Sequence, residues 1–386
     1  MREQVAFLLW VIRRWAPPYL AACLRKRPRP AHVVFCMVDH FEPGTGKATQ
    51  GVEMDRMETL LTHFPPLADK HRDSFGNPPR RTWFFPPHCH VNGNLRKLVS
   101  LCERGYGEIE LHLHHGKVAP DTPENLERTI RLCLRDYSHF GIFGVEGGQK
   151  KFGFIHGDWA LNNSRKGGIY CGVDNEISIL LKTGCYADFT FPSCNEANPL
   201  QINSIHYADD RMRGRSSYTT GSRAKVGGHN GAGLLVIQGP LHPIWLPGKT
   251  IGLRAFGDDV AFDKPPTNDR IDLWVRTWIH VQGKEDWVFV KVHTHGAVDS
   301  AVVLGEPMNE GFTHFERRYN DGQNYILHYA TARELYNIVK AAEAGETGDP
   351  EQYRDYKIGR PIYDASPELF EASEELKACV RATYLG

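Results

Sequence analysis

The run Val33-Val34-Phe35-Cys36-Met37-Val38 ends in Asp39-His40-Phe41-Glu42-Pro43, so an apolar strand terminates in three polar, metal-capable side chains. A continuous apolar run of this length reads as a strand buried on both faces, as in a parallel sheet covered by helices. Two further segments share the build: Glu108-Ile109-Glu110-Leu111-His112-Leu113-His114-His115-Gly116 and Val288-Phe289-Val290-Lys291-Val292-His293-Thr294-His295-Gly296. Each places histidines at the C-terminal end of its strand. Three such ends converging confine the chain to an α/β architecture whose site lies at the C-terminal rim of the strands, where barrels of this kind hold their catalytic groups.

Short apolar strands alternate with helical stretches along the chain, which argues for parallel βα units rather than a sandwich. Strands are expected over 32–39, 81–86, 108–114, 152–156, 186–191, 233–237 and 287–293, and helices over 52–63, 93–104, 122–140 and 174–184. The third helix opens with Asp121-Thr122-Pro123-Glu124, a capping residue and an early proline. Helices are also expected over 323–345 and 366–382. The fold class that follows is α/β: a closed or nearly closed β/α barrel of seven strands over residues 32–300, with long loops above the mouth and a helical C-terminal extension over 301–386. Gly227-Gly228-His229-Asn230-Gly231-Ala232-Gly233 belongs to those loops and is no phosphate cradle, since no Gly-Lys-Ser/Thr follows it.

Of the 386 residues, 46 are basic and 46 acidic, so no global field favours nucleic acid. Nine cysteines, an odd number with no C-x-x-C pair, argue against a disulfide framework and for reduced thiols in a cytoplasmic chain. The apolar stretch Val5–Ile12 is far short of the ~20 residues a spanning helix needs. Residues 1–31 form a basic, amphipathic segment in which Arg13, Arg14, Arg25, Lys26, Arg27 and Arg29 accompany Trp10, Trp15 and Tyr19. That composition suits either peripheral contact with the inner face of a membrane or a helix packed on the barrel with a basic linker behind it.

Alternate side chains of a strand share a face, so Glu110, His112 and His114 point one way and Ile109, Leu111 and Leu113 the other. Two imidazoles at i and i+2 can bind one cation, and an Asp or His from a neighbouring strand end completes an open three-ligand site. The donors suit one divalent metal ion, zinc first, with cobalt, nickel or iron matching the same set. Such a site, with a carboxylate base and a histidine acid, is what hydrolysis of an amide or ester requires.

On these segments the chain resembles the polysaccharide deacetylase (NodB-homology) family, metal-dependent hydrolases with a distorted seven-stranded β/α barrel. The resemblance covers roughly residues 32–300. It implies that Asp39 is the base and that His40 stands where the family has a ligand aspartate. The family's His-x-x-x-His motif falls on His112, with Gly116 at its second position; His114 is the substitute ligand and His115 the alternative. Phe154-Ile155-His156-Gly157-Asp158-Trp159 takes the place of the arginine motif, so that Asp158 and Trp159 orient the base and line the sugar site. Asp188, carried within the aromatic strand Tyr186–Phe191, is matched to substrate binding. His293 is matched to the general acid, with His295 on the same face.

The implied activity is removal of an N-acetyl group from an acetamido sugar of a polysaccharide or its lipid-linked or nucleotide-linked precursor. The partner is therefore carbohydrate. Two rivals stand beside it: a glycosidase pairing Asp39 with Asp158 or Asp188, and an inactive glycan-binding barrel that scaffolds polysaccharide synthesis. Structural roles are expected for His32, His63, His139, His206, His314 and His328, and core positions for Trp83, Phe84 and Phe85. Asp188 could equally cap the loop that follows it, and His88 and His90 could reach the mouth.

Overall fold

The computed structural model describes residues 27–193, 197–210, 221–228, 233–245, 253–366 and 372–381, with scattered positions before residue 27. In chain order the elements that frame the site are β1 (Ala31–His40), α1 (Gln50–Ala68), β2 (Arg81–Phe85), α2 (Asn94–Glu103), β3 (Gly107–Leu113), α3 (Pro123–Tyr137), β4 (Gln149–His156), α4 (Glu176–Thr183) and β5 (Cys185–Asp188). They are followed by β6 (Ile205–Ala208), β7 (Leu234–Ile237), α5 (Asn268–Arg276), β8 (Trp287–Thr294), α6 (Glu306–Tyr319), β9 (Tyr325–Ala330), α7 (Ala332–Ala344) and α8 (Glu374–Val380). A strand forms in each of the seven segments where the sequence predicts one.

All ten residues of β1 are buried, as its apolar run requires. Along one edge β1 pairs in parallel with β8, from His32 opposite Trp287 to Asp39 opposite Thr294. Its other edge is shared: β9 takes Ala31 to Cys36 and β2 takes Met37 to His40. From there the sheet runs parallel through β2, β3, β4, β5 and β7, then turns antiparallel at β6, within a sheet of 12 strands. Among the described residues its two end strands do not pair, so the hydrogen-bonded order is open rather than closed. The sheet is nonetheless strongly curled, because Lys291 on β8 donates to the carbonyls of Phe189 and Phe191 beyond β5, five strands away.

Period-two alternation divides the core into two layers. Val33, Phe35 and Met37 join Ile109 and Leu111 on one face, under Phe64 of α1, Leu98 of α2, Ile130 of α3 and Phe315 of α6. Val34, Cys36 and Val38 lie on the other with Phe84, Ile155 and Phe289, against Leu335 and Ile338 of α7. Burial of each such side chain contributes roughly 1.5–3 kcal/mol, so both layers anchor the strand ends that carry the polar groups.

The helix expected over 323–345 is half strand. Tyr325-Ile326-Leu327-His328-Tyr329 carries aromatic and β-branched residues that fill the edge of β1 left open below β2. The helix begins only at Thr331, whose hydroxyl accepts from the Glu334 N–H while Glu334 accepts from the Thr331 N–H. The segment beyond residue 300 is thus tied into the central sheet. Of the helix expected over 366–382, Glu374–Val380 forms, and 367–371 lie outside the described residues. Most of the basic segment 1–31 and much of the Gly-rich loop, at 229–232, also lie outside them. Among the described residues no helix is long and apolar enough to cross a membrane.

Candidate metal centre

The C-terminal ends of β1, β3 and β8 lie on one edge of the parallel sheet, and the histidines they carry meet there. His112 is fully buried on the inner face of β3. Its Nδ1 lies 2.8 Å from the carbonyl oxygen of Ile155; since a carbonyl only accepts, Nδ1 carries a proton, which leaves Nε2 to face Glu42. Among the described residues that Nε2 has no hydrogen-bond partner, and it lies 3.8 Å from Glu42 Oε2. His114, two residues on, points the same way: Nδ1 is 2.8 Å from Asp158 Oδ2 and Nε2 is 3.1 Å from Glu42 Oε1. The ligand atoms of Glu42, His112 and His114 all fall within 4.8 Å of one another. Metal-binding imidazoles are commonly oriented this way, by a carbonyl or carboxylate on the ring nitrogen that does not ligate.

Glu42 reaches this position because the chain turns directly after β1. Phe41 stacks on Phe85 with ring centroids 6.0 Å apart, and Arg56 donates to Pro43 O at 2.6 Å. Burial opposes ionisation of Glu42, but the His112 and His114 imidazoles outweigh it and hold the carboxyl well below the usual range. Burial likewise opposes protonation of His114, yet Asp158 and Glu42 raise it to about 9. Two carboxylates thus demand a positive charge between them, which a proton or a divalent cation can supply.

His40 stands beside this group rather than in it. Its ring centroid is 5.0 Å from His112, 5.2 Å from His293 and 4.9 Å from His295. Burial and then those neighbouring imidazoles drive its pKa well below the ordinary value, so His40 is neutral. The ligand position expected of His40 falls to Glu42, which the turn after β1 brings beside His112 and His114.

Across His40 lies a second arrangement. His293 Nδ1 is 2.7 Å from Asp258 Oδ1, and Asp258 Oδ2 accepts from Lys291 Nζ at 2.7 Å. Burial works against the Asp258 carboxylate, but Lys291 and His293 keep it ionised, below its usual pKa. His293 therefore presents Nε2 with its other nitrogen fixed by a buried carboxylate. His295 is neutral as well, its pKa lowered to about 4 by burial and by His293. His88 approaches Glu42 at 3.6 Å from the turn after β2; the side chain of His90 is outside the described residues.

Three expected site residues are placed elsewhere. Asp39 alternates to the opposite face from His40 and is fully enclosed, with Oδ1 accepting from Gly296 N–H at 2.9 Å and Oδ2 3.6 Å from Arg81 Nη1. A carboxylate held this way does not meet a water beside the histidines, so the base role expected of Asp39 does not fit its position. Asp39 instead fixes the turn that carries His295. Asp188 is fully buried and accepts from Thr190 Oγ1 and N at 2.6 and 3.1 Å, capping the loop after β5 rather than facing substrate. Trp159 packs against the outer core. Asp158 does reach the site, as the partner of His114, from a left-handed backbone position at φ 57°.

Sequence reasoning missed Asp258, which has no periodic pattern around it, and gave Glu42 no role beyond its metal-capable chemistry. His115, the alternative to His114, turns to the far side of β3, where it meets His156 and Glu176. His32 and His328 share a hydrogen bond of 3.0 Å at the opposite end of β1, where Asp349 lies beside them. The described residues thus contain buried groups of His, Cys and Glu able to hold a metal ion. No family model matches the chain, and no curated protein matches it either.

Proposed function

We propose that the chain is a metal-dependent hydrolase of the polysaccharide deacetylase kind, built on a distorted β/α barrel, which removes the N-acetyl group of an acetamido sugar in a polysaccharide or its precursor. The observation that carries this reading is the pairing of two unlike devices across His40. Glu42, His112 and His114 converge on one side of it, and the His293–Asp258 pair lies on the other.

Glu42, His112 Nε2 and His114 Nε2 would hold one divalent cation of the zinc class, the donor set matching that ion. Bound there, it supplies Lewis acidity to the acetamide carbonyl. His293 Nε2 takes the proton of the attacking water as the new carbon–oxygen bond forms. The same nitrogen returns the proton to the departing amine as the carbon–nitrogen bond breaks, giving acetate and a free amino sugar. Asp258 keeps His293 in the required tautomer and stabilises the imidazolium between the two transfers. His40 and His295, both neutral, line the space between the devices and offer ring N–H groups to the substrate.

A paired-carboxylate glycosidase finds less support, since Asp39 and Asp188 are enclosed and Asp158 is engaged by His114. The test is acetate release from a panel of N-acetylated sugars, free, nucleotide-linked and oligomeric, by zinc- or cobalt-loaded protein beside His293→Ala. Release by the wild type and its loss in the variant are expected. Loaded protein that frees acetate from no member of the panel overturns the reading.

A further inference from the structure

Behind the candidate centre, on the far side of β3, lies a separate cluster whose donors come from four chain segments. His115 follows β3, His156 ends β4, Cys171 lies in the long loop after β4, and Glu176 opens α4. All four are buried, and their ligand atoms lie within 4.8 Å of one another. Glu176 Oε1 is 3.0 Å from His115 Nε2 and 3.5 Å from His156 Nε2, and the Cys171 thiol is 3.5 Å from Glu176 Oε2.

The hydrogen bonds around the cluster orient its members inward. His156 Nδ1 lies 2.6 Å from Gly157 O, so it bears the proton, and the Nε2 lone pair faces the cluster. Among the described residues this Nε2 has no hydrogen-bond partner although His156 is fully buried, an arrangement that is costly unless something occupies the space it faces. His115 Nδ1 is backed by Asp121 at 3.1 Å, and Asn162 N–H donates to Glu176 Oε2 at 2.5 Å. A carboxylate behind one imidazole and a carbonyl behind the other are the supports that metal-ligating histidines use.

We propose that His115, His156, Cys171 and Glu176 form a second, structural metal site that takes a zinc-class divalent cation. Two imidazoles, a thiolate and a carboxylate make a closed four-donor set with no position left for substrate, as structural zinc requires. The two ligand charges match those of the ion. The site also explains how the 157–175 loop keeps its shape. Asp158, Trp159, Asn162, Asn163 and Tyr170 all adopt positive φ there, and such backbone persists only where its surroundings fix it. Gly116, pressed against Cys171, shows how closely the loop is drawn to the end of β3: a Cβ on it would lie 2.1 Å from Cys171 O. Because Asp158 belongs to this loop, the second cation fixes the residue that orients His114.

Cobalt substitution of the full chain separates the two centres, since only this one contains sulfur. Cobalt-loaded wild type should show a thiolate-to-cobalt charge-transfer band in the near ultraviolet. Cys171→Ala should lose that band and one equivalent of metal, whereas Glu42→Gln should lose one equivalent and keep the band. X-ray absorption on the zinc-loaded wild type gives the answer without any variant: a sulfur scatterer at about 2.3 Å is expected. A wild type without band or sulfur scatterer, or a band that survives Cys171→Ala, overturns the proposal. Retention of the band with no metal at Glu42 would instead count against the hydrolase reading alone.

Discussion

Asp258 backs His293 from the connection between β7 and α5, just before the two-residue strand Asp259–Val260, with 2.7 Å between its Oδ1 and His293 Nδ1 and the same distance between its Oδ2 and Lys291 Nζ. The carboxylate therefore fixes the ring and its tautomer together, and Lys291 fixes the carboxylate. Gly239 makes room for this: a Cβ there would lie 2.1 Å from Asp258 Oδ2.

Asp258→Asn keeps the shape but can offer His293 an amide donor, which favours the wrong tautomer. Acetate release should fall by roughly a hundredfold to ten-thousandfold in kcat, with KM changed far less. Steady-state kinetics on the first substrate identified checks this. A drop confined to KM would assign Asp258 to substrate binding instead.

Asp158→Asn tests the support behind His114. The carboxylate 2.8 Å from Nδ1 increases the basicity of Nε2, and its loss should weaken metal binding at Glu42, His112 and His114 by about ten- to a hundredfold. Competition with a chromophoric chelator measures the shift. The cobalt–thiolate band should stay as in the wild type, and unchanged affinity would remove Asp158 from the site.

The strands are legible in the sequence because buried parallel strands need near-continuous apolar runs, and Val33–Val38 or Val288–Val292, broken only at Lys291, admit few other readings. Alternation also places His112 and His114 together. The same alternation separates Asp39 from His40, whereas Glu42 lies beyond the end of β1, where no strand period applies. Asp258 and the meeting of Cys171 and Glu176 with His115 and His156 are not legible: each depends on a loop folding back onto strand ends distant in sequence, and no local period records that. Tyr325–Ala330 is ambiguous in isolation, since its strand character is decided by the vacant edge of β1.

Asp39→Asn distinguishes a base from a positioning residue. The amide can still accept from Gly296 N–H, but it leaves the Arg81 guanidinium, fully buried over the Phe64 ring, without its counter-charge. Breaking one partner out of such a pair costs about 3–5 kcal/mol. Denaturant unfolding should show a loss of that order, with activity reduced in proportion to the folded fraction. Full stability with turnover abolished would restore the base role.

Asp188 supplies a stability-linked proton. Burial raises its carboxyl to about 7 against the pull of the Thr190 hydroxyl and N–H, while the unfolded chain titrates near 3.9. Between those values the native state holds a proton that the unfolded state has released. The contribution is thus fully present below about pH 4 and is lost as pH rises through about 7, by up to roughly 4 kcal/mol. Asp188→Asn is neutral at every pH and keeps an oxygen for Thr190, so it should gain on the wild type between about pH 5 and about pH 8. Urea midpoints across that range measure the difference. Parallel stability curves for the two proteins would mean that Asp188 is ionised in the native state, with its bonds to Thr190 outweighing burial.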